Sequence, residues 1–343
     1  MIVINNVSRV PKYKQIIDCV IDNIAKGKLK LGDKIPSINE LSAECYLSRD
    51  TVEKAYRELK KRKVITSVKG KGFYITKTEL ISKINVFFLI NKPSSYKLII
   101  YNSFVNFMGA DGHVTLSIYH CEESLFAKAI EKNMGAFDYY VIMPHFKNEN
   151  LQHVSCPESI MEIIDEIPKE KLLLLDNSKP ELSGNYGSVY QDFKFDIYDA
   201  LSKALNKLKK YDRIILVYPR KSIFPYPLRI LHGFHLFCSE NQFDFEVLDE
   251  IYEDMELTGK DVYIIIEETD LVNLMQQIKM KGIVVGEEIG IISYNDTPLK
   301  ALLDITVIST DFKAMGEMAA SMILENTLSK IKNPFNYVER GSL

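Results

Sequence analysis

The stretch that most restricts how this chain folds lies near its start, Ile35-Pro36-Ser37-Ile38-Asn39-Glu40-Leu41. Ser37 followed three residues later by Glu40 is a capping box. Each side chain satisfies a backbone N–H that a helix leaves open, so a helix is predicted to begin at Ile38. Tyr46-Leu47-Ser48 interrupts it. Ser48 is a natural N-cap for a second helix over residues 49–63, with Asp50 at its positive end. Val52, Ala55, Tyr56 and Leu59 recur there at helical spacing and are expected in a core. A longer helix over residues 12–26 precedes them, with Ile16, Ile17, Val20, Ile21 and Ile24 on one face. Two short helices joined by a tight turn behind a longer one predict a helix-turn-helix. Val64-Ile65-Thr66 and Phe73-Tyr74-Ile75 read as brief strands. The segment between them, Lys69-Gly70-Lys71-Gly72, supplies glycines for a tight turn and lysines at its tip, which is a wing.

Charge agrees with that reading. Residues 12–77 hold 16 Lys and Arg against 8 Asp and Glu, while the whole 343-residue chain has a net charge of −3. A basic head on an acidic body implies that the head alone meets a polyanion. Arg49, Lys54, Arg57, Lys60 and Lys61 fall on or beside the second helix, and Lys69 and Lys71 on the wing. Cations placed around a helix that enters the major groove are what phosphate contacts need. Arg49 and Thr51 stand at the helix start, where base edges are reached. Each lysine alone is equally a solvated surface charge. The capping box, the helix spacing and the glycine-lysine wing together point to DNA.

Residues 77–83 are polar and aperiodic, and read as a hinge. From residue 84 onward strand-like and helix-like patterns alternate. Apolar runs at 84–90, 114–119, 139–143 and 172–175 enclose helical segments at 96–108 and 124–134. A second series has strands at 214–218, 245–248, 262–266 and 289–292, with helices at 195–208, 228–241 and 271–281. Such alternation predicts parallel sheets covered by helices, here two doubly wound lobes. Ligands of open parallel sheets bind beyond the carboxyl ends of the strands. Asn91-Lys92, His145, Asp176-Asn177, Tyr218-Pro219-Arg220, Glu267-Glu268 and Asn295-Asp296 occupy those positions. Each alone reads as an ordinary polar loop or cap. Together they suit a hydroxyl-rich ligand in a cleft between the lobes.

The head resembles the DNA-binding domain of the GntR family. The residues that carry the likeness are Ile35-Pro36-Ser37, Glu40-Leu41, Leu47-Ser48-Arg49, Thr51-Val52, Leu59 and Gly70-Lys71-Gly72-Phe73. The resemblance implies that Ser37, Asn39, Ser48, Arg49, Thr51, Lys54, Lys69, Gly70 and Lys71 meet operator DNA. Asn39 replaces the family's usual arginine, and Glu53 stands where arginine is frequent, which implies a divergent operator. The body resembles the effector domain of the lactose/galactose-repressor family, a periplasmic-binding-protein-like (type I) fold. Gly290-Ile291-Ile292-Ser293-Tyr294-Asn295-Asp296-Thr297, Ile305-Thr306-Val307-Ile308, Met315-Gly316, Gly187–Asp192 and Arg229 with Gly233-Phe234 carry that likeness. It implies effector contacts from Arg229, Glu267 and Asn295, to which the strand-end rule adds Asn91 and His145. The combination is similar to arabinose repressors.

The chain is therefore expected to be α/β with a small α+β head. The expected divisions are a winged helix-turn-helix domain over 1–77, a linker over 78–83, and a two-lobed effector-binding and dimerisation domain over 84–343. The expected partners are operator DNA, a second copy in a homodimer, and a small effector, a monosaccharide; a nucleoside, purine or sugar phosphate is the alternative. No enzyme motif is present: no Gly-x-Ser-x-Gly, no phosphate-cradling Gly-x-x-x-x-Gly-Lys-Ser/Thr, no His-Glu-x-x-His. Neither a cofactor nor a metal is expected; His232 and His235 share one helix but no third ligand is evident. The 5 scattered cysteines suit a reducing cytosol. Met1–Pro11 lacks a signal peptide's apolar core and no run is long enough to span a bilayer, so a cytoplasmic location is expected.

Overall fold

The structure, a computed structural model, describes residues 4, 10–25, 27–62, 64–68, 70–76, 84–177, 182–220 and 222–343. Lys69 and the whole hinge segment 77–83 lie outside the described residues. The chain divides into two compact units, Met1–Ile84 and Asn85–Leu343.

In the first unit, α1 (Lys12–Ala25) packs against α2 (Ile38–Cys45) and α3 (Arg49–Lys61), and β1 (Lys34–Ile35), β2 (Ile65–Val68) and β3 (Gly72–Ile75) form a small antiparallel sheet of order β1-β3-β2. The capping box forms as expected. Glu40 accepts from the Ser37 N–H at 2.7 Å, and Ser37 Oγ accepts from the Glu40 N–H at 3.3 Å. Val52, Ala55, Tyr56 and Leu59 of α3 are all buried against Ile16, Ile17, Val20 and Leu41. Tyr56 adds an edge contact with Phe73 and donates its hydroxyl to the Pro36 carbonyl at 2.6 Å. One residue thus ties α3, the wing strand and the start of α2 together. The second helix ends at Lys61, two residues short of the sequence expectation.

The second unit is built on two six-stranded sheets. Lobe 1 has the order β16-β10-β9-β6-β4-β5, from β4 (Ile84–Ile90), β5 (Gly112–Ile118), β6 (Tyr139–Ile142), β9 (Leu172–Asn177), β10 (Gly187–Gln191) and β16 (Lys330–Lys332). A short hairpin, β7 (Phe146–Lys147) with β8 (His153–Val154), follows β6. Its helices are α4 (Ser95–Met108), α5 (Glu123–Asn133), α6 (Glu158–Asp165) and α11 (Phe312–Leu324). Lobe 2 has the order β12-β11-β13-β14-β15-β17, from β11 (Arg213–Val217), β12 (Asp244–Leu248), β13 (Asp261–Ile265), β14 (Gly290–Tyr294), β15 (Thr306–Thr310) and β17 (Phe335–Val338). Its helices are α7 (Phe193–Leu208), α8 (Leu228–Asn241), α9 (Glu268–Lys281) and α10 (Pro298–Leu302). In the lobe 1 sheet β4, β6, β9, β10 and β16 run parallel, in the lobe 2 sheet all neighbours are parallel except β15 with β17, and separate apolar clusters line the two faces of the lobe 2 sheet. That is the doubly wound arrangement.

The chain crosses between the lobes after β10, after β15 and between β16 and β17. The crossings are stitched together. Gln191 Nε2 donates to Thr310 Oγ1. Asn333, only 2% exposed, donates its N–H to the Tyr190 carbonyl at 2.7 Å and its Nδ2 to the carbonyls of Asp311 (3.2 Å) and Pro334 (3.0 Å). Two close helix approaches need glycine. A Cβ on Gly233 of α8 would collide with the Lys194 carbonyl of α7, and one on Gly316 of α11 would press on the Phe104 nitrogen of α4 at 2.9 Å. No helix among the described residues is long and apolar enough to cross a membrane.

Candidate DNA interface and effector cleft

In the head, the described residues expected at DNA lie on or at the start of α2 and α3 and on the wing, and Asn39, Ser48, Arg49, Lys54, Gly70 and Lys71 are exposed. Ser48 caps α3, its Oγ accepting from the Thr51 N–H at 3.3 Å and lying 2.7 Å from Thr51 Oγ1. This locks the helix start and leaves Arg49 exposed beside it. Asn39 is exposed on α2. Lys54 and Lys60 are not wholly free: Lys54 Nζ lies 4.1 Å from the centre of the Tyr13 ring, and Lys60 Nζ donates to Ser67 Oγ at 2.9 Å. Both stems therefore lie along the protein with the charge at its edge. Glu53 faces Arg57 at 3.8 Å, a surface pair worth little by itself. At the wing, Gly70 (φ 76°) and Gly72 (φ 113°) adopt left-handed geometry on either side of exposed Lys71, whose carbonyl accepts from Tyr74 OH at 3.2 Å.

In the body, the expected effector residues form two groups and one outlier. Asn91, at the end of β4, and His145, just after β6, belong to a buried network in lobe 1. His145 Nε2 lies 3.0 Å from Asp176 Oδ2, and its Nδ1 lies 2.8 Å from His153 Nε2. Lys97 of α4 pairs with the same Asp176 oxygen. Tyr119 OH donates to the carbonyls of Met143 and His145 and accepts the His145 N–H at 2.8 Å, which fixes the strand end. Asn91 Nδ2 reaches Cys121 Sγ at 3.5 Å, while its Oδ1 is buried without a hydrogen-bond partner.

Glu267 and Asn295 form the second group, at the ends of β13 and β14 in lobe 2. Asn295 has left-handed backbone (φ 63°), held by its N–H on the Ile308 carbonyl at 2.7 Å and by buried Lys300, which donates to the carbonyls of Tyr294 and Asn295 at 2.9 Å each. Its Oδ1 is also buried without a partner. Asp296 is committed elsewhere, to a bidentate pair with Arg340 at 2.9 and 2.7 Å. Arg229 is the outlier: it pairs with Asp192 at 2.6 Å, beside the first crossing. Arg220 likewise pairs with Asp249 at 3.0 Å. Of the basic residues Lys92, Arg220 and Arg229, this leaves Lys92 without a carboxylate partner among the described residues; it sits over the rings of Phe224 (5.0 Å) and Tyr226 (5.5 Å) from the facing lobe.

The lobes meet through that contact and through Tyr96 OH on Glu268 at 3.1 Å, with the Tyr96 ring stacked on Phe312 of its own lobe. Between them is a cavity of about 130 Å³ lined by Gln152, His153, Tyr218, Arg220, Tyr226 and Leu231, among others. This is below the roughly 300–1,000 Å³ of most ligand pockets. It admits only a small molecule unless the lobes part. Sequence reasoning passed over Lys97, His153 and Tyr226. Lys97 did leave a signal, a charged residue in register with Ile100, Phe104 and Met108 on the buried stripe of α4.

Burial keeps both histidines neutral. It pushes His145 well below the usual histidine value and His153 down to about 4, with Lys97 adding repulsion. A base with a depressed folded pKa binds its proton later than the unfolded chain does. Between about pH 6.5 and 4 the unfolded state therefore takes up protons that the folded state refuses, and stability falls as the solution is acidified. From His153 alone the loss between pH 7 and 5 is roughly 2 kcal/mol. Melting curves should show it, and His153→Gln should flatten the dependence. A variant that loses stability with acid as steeply as the parent would remove His153 as the source.

Together these features define a winged helix-turn-helix head on a two-lobed, periplasmic-binding-protein-like α/β body, a combination suited to a DNA-binding regulator with a ligand cleft. Residues 12–75 match the family described as bacterial regulatory proteins, gntR family, so the head is a gntR-family domain. The chain is 40% identical over 84 residues to the HTH-type transcriptional repressor YtrA of Bacillus subtilis, covering 24% of this chain and 65% of that protein. It is 33% identical over 67 residues to the arabinose metabolism transcriptional repressor of Geobacillus stearothermophilus, covering 20% of this chain and 18% of that one. It thus spans less than two thirds of the length of these relatives. Two solved structures share the fold of most of the chain. One is a periplasmic binding protein/LacI transcriptional regulator from Alkaliphilus metalliredigens complexed with D-xylulofuranose, with a TM-score of 0.55 at 12% identity over 76% of this chain and 98% of that one. The other is the lac repressor dimer bound to operator and the anti-inducer ONPF, with a TM-score of 0.57 at 14% identity over 76% and 94%. At such identities the likeness is one of fold.

Proposed function

We propose that the protein is a transcriptional repressor of a carbohydrate-utilisation operon. It binds operator DNA through its head as a homodimer, and a monosaccharide held between the lobes of its body changes that binding. The observation that carries the reading is the joining, in one chain, of a gntR-family head to a body whose strand ends offer unpartnered carboxamide oxygens, Asn91 Oδ1 and Asn295 Oδ1. A buried acceptor without a donor costs about 1–3 kcal/mol. The hydroxyls of a sugar supply donors, and the rings of Tyr218 and Tyr226 supply an apolar wall. Arg220 and Arg229 are spent on carboxylates, which favours a neutral sugar over a phosphorylated one. The named relatives, one an arabinose repressor, support the regulatory role.

The dimer face we assign comprises α4 and α10. Glu268 of α9 bridges these helices, accepting from Tyr96 of α4 and facing Lys300 of α10 at 3.8 Å, and both present exposed apolar side chains: Leu98, Ile99 and Phe107 on α4, Leu299 and Leu302 on α10. Neighbouring exposed apolar residues of this kind mark an interface, and a second copy of the chain suits a protein that reads paired half-sites.

The test is selection of duplexes from a randomised pool by the full-length protein, followed by fluorescence anisotropy. Recovered sites are expected to be near-palindromes. Arg49→Ala should weaken the selected site by about 10- to 100-fold. Lys71→Ala should weaken all sequences alike and lower the salt dependence. A pool from which no sequence is enriched would overturn the proposal.

A further inference from the structure

The turn between α2 and α3 carries a residue that no local consideration explains. Tyr46 closes α2 in left-handed geometry, φ 53° and ψ 43°. Glycine adopts that conformation at a helix end freely; a residue with a Cβ does so under strain. The turn gives Tyr46 no room to relax. The Leu47 N–H is bonded to the Ser42 carbonyl at 3.1 Å and Ser42 Oγ to the Leu47 carbonyl at 2.6 Å, so the backbone is fixed on the far side of it. Nor does packing repay the strain. The side chain is 95% exposed, the largest exposure among the exposed large apolar and aromatic residues of the described chain. A single exposed apolar residue is ordinary. One that is also strained, where glycine would serve the fold better, points to a role outside the fold.

Its position indicates the reason. Two residues on is Ser48, the cap of α3, so the Tyr46 Cα lies within about 8 Å of the end from which Arg49 and Thr51 project. The N-terminus of α3 offers N–H groups and a positive dipole to a phosphate. An exposed tyrosine ring this close to that end is long enough to reach the sugar-phosphate backbone of a duplex bound there. We propose that Tyr46 is a DNA-contacting residue, its ring lying against the sugar-phosphate backbone next to the phosphate held at the start of α3. This rests on the DNA-binding reading above and extends the interface to a residue outside the recognition helix and the wing.

The fold and the function make opposite demands at this position, and that makes the test sharp. Tyr46→Gly relieves the strain, so its melting temperature should rise. Its affinity for a duplex selected by the wild-type protein should nonetheless fall about tenfold. Tyr46→Asn, which also tolerates left-handed geometry, should lose affinity equally, while Tyr46→Phe, which keeps the ring, should stay within about threefold of wild type. A glycine variant that is more stable and binds the selected duplex as tightly as the parent overturns the assignment, as does a phenylalanine variant no better than glycine. Arg49→Ala measured alongside separates the two hypotheses. If it loses affinity and Tyr46→Gly does not, the head binds DNA without Tyr46; if the wild-type protein enriches no duplex, the DNA-binding reading itself fails.

Discussion

Asp176→Asn is expected to destabilise the body by about 3–5 kcal/mol at pH 6, the range for removing one partner of a buried ion pair. The substitution keeps the shape of the side chain. It also keeps a residue type tolerated at Asp176's left-handed backbone (φ 73°), so strain is not what changes. What changes is charge. Lys97 and Asp176 are both buried, and among the described residues Asp176 is the only carboxylate paired with the Lys97 ammonium. Burial already depresses Lys97 to about 7. Without its partner the lysine must either carry an unpaired charge or shed its proton, and shedding becomes harder as the pH falls. The loss should therefore be larger at pH 6 than at pH 8. His145 also loses its acceptor. Combining Asp176→Asn with Lys97→Met removes both charges, and the double variant should recover most of the stability. Chemical denaturation of the four proteins of the cycle reads this directly. An Asp176→Asn protein within about 0.5 kcal/mol of wild type, the scale of a neutral surface change, would show that the pair stores no energy.

That network matters beyond stability because of where it is anchored. Lys97 projects from α4, whose opposite face carries the exposed Leu98 and Ile99 proposed for the dimer, and Asp176 ends a strand at the cleft. α11, entered just after the second crossing, packs on α4 through Gly316. Lobe closure would therefore have a short mechanical route, through the close α11–α4 packing at Gly316, to the face proposed for the dimer. The stitching of the three crossings by Asn333 concentrates bending in few residues, as expected of a hinge.

Much of this was legible in the sequence, for identifiable reasons. The head follows from local chemistry: a capping box needs only Ser37 and Glu40, an N-cap needs only Ser48, and a wing turn needs Gly70 and Gly72. The two lobes follow from the alternation of apolar strands and amphipathic helices. The motifs that carried the resemblance of the body turn out to be largely packing devices. Gly233-Phe234 lets α8 approach α7 and fills the core with Phe234, and Met315-Gly316 does the same for α11 on α4. This explains why they reveal the fold and say little about the ligand. The site was less legible because it depends on pairings between residues far apart in the chain. Arg229 is occupied by Asp192, 37 positions earlier, and His145 is joined to Asp176, 31 positions later. No periodicity encodes such meetings. His153 lies on a two-residue strand, too short to leave a pattern.

Asn295 gives the decisive measurement on the cleft. Its backbone is over-determined by the Ile308 carbonyl, by Lys300 and by left-handed geometry, so its carboxamide is held in place before any ligand arrives. Such preorganisation spares the cost of ordering on binding. The Oδ1 oxygen is buried without a hydrogen-bond partner among the described residues, and in the proposed complex it accepts from a sugar hydroxyl. Asn295→Gly is the appropriate variant. Glycine keeps φ 63° without strain and removes only the amide. A pentose and hexose panel titrated calorimetrically identifies the effector, and the variant should bind it about 5- to 150-fold more weakly, the value of about 1–3 kcal/mol for a buried hydrogen bond. Its operator affinity without effector should be that of the parent, because a residue that discriminates only the liganded state cannot shift the unliganded equilibrium. Asn91→Ala in the opposite lobe should give the same pattern, and the two losses should exceed neither the total binding energy nor what each lobe contributes to closure. If Asn295→Gly responds to the effector with unaltered affinity while Asn91→Ala does not, the sugar is held by lobe 1 alone, and closure of the lobes is not what carries the signal to DNA.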